Sequence, residues 1–136
     1  MERILGLDVG TKRIGVAISD PLGFSAQPLT TIIRESKKKD MAAIEAILLE
    51  YDIKKVIVGM PKNMNGTVGP SGEMAMQVGE KIRNKFKIEL IYIDERLSSV
   101  SAERILIEAD IRREDRKNMI DKVAASYILQ TYLDTK

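Results

Sequence analysis

The sequence predicts an α/β fold: a five-stranded mixed sheet, three antiparallel strands followed by two parallel ones, with helices on both faces. Three observations predict it. The chain opens with three short apolar stretches separated by turn residues, before any helical periodicity. Apolar residues then recur at helical spacing and alternate with two further short apolar runs. The first of those runs, Val56–Met60, is continuously apolar and ends at Pro61, as a strand buried on both faces of a parallel sheet does.

The elements follow in order. Ile4–Val9 is the first strand, Gly10-Thr11-Lys12-Arg13 the turn, and Ile14–Ser19 the second strand. Asp20-Pro21-Leu22-Gly23 leads to a third strand at Leu29–Ile33, and the three form an antiparallel meander. Met41, Ile44, Ile47, Leu48 and Tyr51 mark the first helix. After the Val56–Met60 strand, a polar loop from Lys62 to Gly72 contains the turn dipeptide Asn65-Gly66. Met74, Val78, Ile82 and Phe86 form the next helical stripe, and Ile88–Ile93 the fifth strand. Ala102, Ile105, Leu106 and Ala109 mark a helix that Ser98 or Ser99 would cap. A charged stretch, Asp110 to Asn118, precedes a last helix carrying Ile120, Val123, Ala124, Tyr127 and Ile128. Two βα crossovers after a meander place the first strand centrally.

Composition narrows the chemistry. The 136 residues suit one domain, 1–136, and 44% hydrophobic residues can build its core. No apolar run approaches the ~18 residues of a membrane span, and the N-terminus lacks a signal-peptide pattern; the expectation is a cytosolic protein. There is no cysteine and no histidine. Their absence removes Ser-His-Asp and Cys-His catalysis and the common zinc sites. Any hydrolysis must use carboxylates, a metal-activated water, or a lysine or tyrosine base. A net charge of +2 permits a polyanionic partner without demanding one, and 4 Tyr with 2 Phe and no Trp make a poor base-stacking platform. The seven Met residues are most simply core filler.

Three carboxylates from distant segments are candidates for one site. On the first strand, Leu5, Leu7 and Val9 share one face, and Ile4, Gly6 and Asp8 the other. A charge at the end of a central strand is costly unless paired or bound to metal, and Gly6 leaves room for a helix or ligand on the same face. Glu95 follows the fifth strand; if that strand runs parallel to the first, Glu95 emerges at Asp8's edge of the sheet. Asp121 lies beside Ala124 and Ile128 on the flank of the last helix's apolar face. The competing readings are an Asp8 that caps a turn, an exposed charged turn at Glu95, and a first-turn Asp121 favouring the helix dipole. Carboxylates suit Mg²⁺, and two such ions can activate water and stabilise the leaving oxygen of a phosphodiester.

Four ordered motifs resemble the YqgF/RuvX family. They are Gly6-Leu7-Asp8-Val9-Gly10-Thr11-Lys12-Arg13-Ile14-Gly15-Val16-Ala17, then Gly59-Met60-Pro61-Lys62-Asn63-Met64-Asn65-Gly66, then Asp94-Glu95-Arg96-Leu97-Ser98-Ser99, and finally Asp121-Lys122-Val123-Ala124-Ala125-Ser126-Tyr127-Ile128-Leu129. Ser99 stands where the family has threonine, a change that keeps the hydroxyl. These are bacterial RNase H-like proteins, described as Holliday junction resolvases and as nucleases maturing the 5′ end of 16S ribosomal RNA. The resemblance implies an RNase H-like fold. It also implies that Asp8, Glu95 and Asp121 are the catalytic, metal-binding triad of a two-metal site for Mg²⁺ or Mn²⁺.

Around that triad, Lys12 and Arg13 are candidates to hold a phosphate, or are solvated turn charges. Asn63 and Asn65 contact a sugar or base edge, or simply build the Asn65-Gly66 turn. Arg96 contacts phosphate or pairs with Asp94. Arg112, Arg113, Arg116 and Lys117 guide a nucleic-acid backbone, or form a charged loop. Arg34 and Lys37–Lys39 read as a solvated helix start. Gly10 and Gly15 are read as serving backbone geometry.

The leading expectation is therefore a metal-dependent nuclease acting on structured RNA, with four-way DNA junctions as the alternative substrate. The partner is nucleic acid, and the chain is a monomer or a homodimer. Asp8-Val9-Gly10-Thr11 also resembles the phosphate loop of actin-like ATPases, but those need a second domain for which 136 residues leave no room. A non-catalytic binding module is the third reading, and the presence of all three carboxylates argues against it.

Overall fold

A computed structural model describes residues 3–63, 65–97 and 116–135. Eight principal elements lie within them: β1 (Ile4–Val9), β2 (Arg13–Ser19), β3 (Ala26–Ile33), α1 (Lys37–Glu50), β4 (Lys55–Met60), α2 (Pro70–Phe86), β5 (Glu89–Asp94) and α3 (Arg116–Leu133). The helix expected after Ser98-Ser99, with Arg112 and Arg113, lies outside the described residues. So do Met64 and the side chains of Arg116 and Lys117.

The strands form one sheet in the order β3-β2-β1-β4-β5. β1 is central, antiparallel to β2 and parallel to β4, and β4 is parallel to β5. The ends of β1, β4 and β5 therefore share one edge, as the crossover pattern required. β3 begins at Ala26, earlier than Leu29, because the edge position tolerates Pro28, which cannot donate to a ladder on both sides.

Side-chain alternation sorts the core into two layers. Leu5, Leu7 and Val9 join Val56 and Val58 beneath α1 and α2, which contribute Met41, Ile44, Leu48, Val78 and Ile82. Ile4, Ala17 and Ile57 face the other way, beneath Ala124, Ala125, Ile128 and Leu129 of α3. Burying each large aliphatic side chain contributes about 1.5–3 kcal/mol. Local signals set the helix ends. The Ser36 hydroxyl accepts from the Lys39 N–H at 3.2 Å, so Lys37–Lys39 form the first turn of α1 as expected. Pro70 opens α2, where its missing N–H costs nothing, so this helix starts before Gly72 and shortens the polar loop. Among the described residues, no helix is long and apolar enough to cross a membrane.

α3 lies across β1, β2 and β3, and glycines let it approach closely. A Cβ at Gly6 would stand 2.8 Å from the Leu129 Cβ, and one at Gly15 would overlap the Asp121 carbonyl. Gly15 thus provides space for α3 and not the special backbone geometry its sequence reading assigned; its φ is not positive, unlike those of Gly23 and Gly66. Gly10 does belong to the turn, donating to the Arg13 carbonyl at 2.8 Å.

Candidate active site

Asp8 is the penultimate residue of β1, paired across the sheet with Gly15, and is 8% exposed. Glu95 opens a single 3₁₀ turn, Glu95–Leu97, directly after β5. Parallel pairing through β4 carries it to the edge where Asp8 ends β1. Gly59 clears its path: a Cβ there would lie 2.7 Å from the Glu95 Oε1 and crowd Ile128. Asp121 arrives from α3 on the same face. All three acids line one cleft of about 260 Å³, with Gly10, Thr11, Pro61, Ser71 and Met74 completing its walls.

Arg13 crosses this edge and donates from Nε to the Asp121 Oδ2 at 2.6 Å, both side chains being partly buried. Asp121 is the sixth residue of α3, and the first turn of that helix carries no acidic residue. The dipole reading of Asp121 therefore gives way to tertiary pairing. In donor type the cleft suits a hard divalent cation, since it offers carboxylate oxygens and neither thiolate nor imidazole. Among the described residues, no three acidic groups already converge as a metal cluster. Asp121 is turned toward Arg13, which supplies the counter-charge. The residues fit such a cation in donor chemistry: the three acids line one cleft, with Asp121 paired to Arg13.

The other candidate residues divide. Arg96 pairs with Asp94, its Nη2 donating at 2.6 Å and its Nε to both oxygens. These bonds hold the Asp94 carboxyl down at about 2, below the ordinary carboxylate value. The Arg96 guanidinium also lies over Gly66, where a Cβ would stand 3.7 Å from Nη1. Asn63 and Asn65 both serve their own loop. Asn63 donates to the Thr67 hydroxyl at 2.9 Å, and Asn65 Oδ1 accepts from the Thr67 N–H at 3.1 Å. Gly66, at φ +87°, closes the turn by donating to the Asn63 carbonyl. Lys12 is exposed in the β1–β2 turn and does not line the cleft. Thr11, Ser71 and Met74 were not singled out as site residues from sequence. Thr11 lies three residues after Asp8, in the quoted motif; Ser71 and Met74 reach the cleft only because α2 packs beside β1.

A mixed sheet in this order, with acidic side chains gathered at its parallel-strand edge and on the covering helix, defines an RNase H-like protein. The likeness to solved structures agrees. The T. thermophilus RuvC in complex with a Holliday junction substrate superposes with a TM-score of 0.64 at 9% identity, over 99% of this chain and 96% of that one. The fowlpox virus Holliday junction resolvase superposes with a TM-score of 0.55 at 15% identity, over 98% and 99% of the two chains. At such identities the likeness speaks for the fold alone.

The chain belongs to the RuvX family, whose model, described as Holliday junction resolvase, matches residues 2–135. A Clostridium beijerinckii relative named "Putative pre-16S rRNA nuclease" is 56% identical over 132 residues, covering 97% of this chain and 96% of its own. A relative of the same name from Thermoanaerobacter pseudethanolicus is 56% identical over 135 residues, covering 98% and 97%.

Proposed function

We propose that this chain is a divalent-metal-dependent nuclease that matures the 5′ end of pre-16S ribosomal RNA in the bacterial cytoplasm. The observation that carries the chemistry is the meeting of Asp8, Glu95 and Asp121 in one cleft from three separate segments. The relatives' name and their identity above one half support the choice of RNA.

In this reading Asp8, Glu95 and Asp121 hold Mg²⁺ or Mn²⁺. When bound, such ions supply Lewis acidity at the scissile phosphate and lower the pKa of an attacking water. The protein's own groups do the positioning. Asp8 sits on the most buried strand, so its carboxylate is held with little freedom. Glu95 is fixed by a turn that Asp94 and Arg96 lock together. Arg13 balances Asp121 while the cleft is empty of substrate, and is then free to meet a phosphate oxygen. Lys12 adds charge at the same turn.

The test is cleavage of precursor ribosomal RNA fragments with Mg²⁺ or Mn²⁺ by wild type and Asp8→Asn. The variant keeps the size of the side chain and removes its charge. Wild type should cleave, and the variant should be slower by at least about 100-fold, more than losing a group that merely orients a ligand costs. Equal cleavage by both would sink the assignment of Asp8. Four-way DNA junctions belong in the same assay, because the family is described as Holliday junction resolvase. Preference for the junction would move the substrate from RNA to branched DNA, and a symmetric dimer would then be the expected assembly.

A further inference from the structure

The cleft continues beyond Thr11 and Met74. Both residues also line a second hollow, which passes the start of α1 and is bounded by Arg34, Ser36, Lys37 and Gln77. A third hollow shares Arg34, Lys37 and Gln77 with the second and adds Lys81. A fourth shares Lys37 and Lys81 with the third and adds Lys38 and Lys85. Together they trace a groove between α1 and α2 that begins at the carboxylates and leaves them across the face opposite α3.

The charge of this groove is one-sided. Its two acids are engaged: Asp40, 3% exposed, accepts from the Arg34 Nε at 3.0 Å, and Glu35 lies 3.7 Å from the Lys39 Nζ. Arg34 also donates to the Gly10 carbonyl at 2.9 Å, fastening this end of α1 to the turn beside Asp8. Lys37, Lys38, Lys81 and Lys85 are exposed, and none makes an ion pair among the described residues. Gln77, Lys81 and Lys85 recur every fourth residue, so they stand in a row along one face of α2. From Gln77 to Lys85 that row extends about 12 Å, the rise of about three to four nucleotides of one strand in a duplex.

We propose that the groove between α1 and α2 is a track for the sugar-phosphate backbone of the substrate strand outside the cleft, with Lys37, Lys38, Lys81 and Lys85 neutralising successive phosphates. The proposal rests on the nuclease reading of the cleft, which the groove continues. Lys37 and Lys38 gain this role only because the fold sets Lys81 and Lys85 across from them. A lysine row recognises charge and not base identity, so the track adds affinity without sequence preference.

The experiment measures binding of a fluorescent precursor ribosomal RNA fragment, and of a DNA strand of equal length, across a salt series. Wild type is compared with Lys81→Gln/Lys85→Gln, with Lys37→Gln/Lys38→Gln, and with the distant control Lys54→Gln. Each lost phosphate contact should lower the slope of log affinity against log salt by about 0.7. A double variant should therefore lose about 1.4 in slope, equivalent to about 25-fold in affinity at 0.1 M salt. Lys54→Gln should bind as wild type does, and thermal melts should be unchanged in all three because these side chains are exposed. Unchanged slopes in both double variants, or no nucleic-acid binding by wild type, would overturn the track. Cleavage is read separately. Wild type that binds with the predicted slope changes but never cuts would refute the nuclease reading and keep the track.

Discussion

Gly15→Ala is the sharpest probe of how this fold places its acids. Gly15 lies on β2 directly opposite Asp8, on the face that α3 covers. A methyl group built there overlaps the carbonyl of Asp121 and stands 2.9 Å from the Lys122 nitrogen. The obstruction is helix backbone, so no side-chain rotation relieves it, and α3 must withdraw locally by on the order of 1 Å in a close-packed interior. Overpacking of this kind costs about 1–3 kcal/mol, and a backbone obstacle puts the cost near the upper value. For a chain of this length that lowers Tm by roughly 10 °C. The same displacement moves Asp121 relative to Asp8, and ~1 Å of misplacement costs about 100-fold in turnover. Differential scanning calorimetry and the precursor-RNA cleavage assay read the two effects. Gly23→Ala is the control: its φ is +77° but open space surrounds it, so it should show only backbone strain of ~1–2 kcal/mol and keep its activity. A Gly15→Ala protein that melts within 2–3 °C of wild type, well inside the roughly 10 °C expected, and cleaves normally would refute backbone docking of α3 at this position.

Two further outcomes follow from the site. Arg13→Gln removes the counter-charge that Asp121 holds at 2.6 Å. Mg²⁺ binding by calorimetry should tighten about fivefold, allowing for the screening of a partly exposed pair, while KM for nucleic acid rises; weaker Mg²⁺ binding would count against Asp121 as a ligand. Asp94 is held at about 2 in the folded chain, chiefly by its hydrogen bond from Arg96, against an ordinary value of 3.8. A depressed carboxylate stabilises the fold fully above its unfolded value and loses that contribution as pH falls toward its folded one. The stability gap between wild type and Asp94→Asn, from urea titrations, should thus be constant above about pH 5 and close toward pH 2; a gap that persists at the lowest pH would contradict the Arg96 pairing.

Much of the fold was legible because periodicity reports burial directly. Alternation in β1 assigned Leu5, Leu7 and Val9 to one layer and Asp8 to the other, and the structure separates them that way. The run Val56–Met60 could be read as a parallel strand because both of its faces are covered. Edge residues were harder: Ala26–Pro28 lack a strand pattern because β3 needs only one paired neighbour. Glycine misled in a specific way. Gly15 was assigned to backbone geometry, since one sequence cannot reveal a helix arriving from more than a hundred residues away.

By itself, the sequence determined the order of the described elements and the central place of β1, and it excluded chemistry that needs histidine or cysteine. Motif resemblance added which three acids to consider. Only the tertiary structure decided that Arg13 lies against Asp121, that Arg96 lies against Asp94, and that Asn63 and Asn65 tie up their own loop. Only it placed the lysines of α1 and α2 along a single groove. The physical reason is range. Hydrophobic periodicity is a local property that survives in a single sequence, whereas ion pairs and helix contacts depend on how segments far apart in the chain are packed against one sheet.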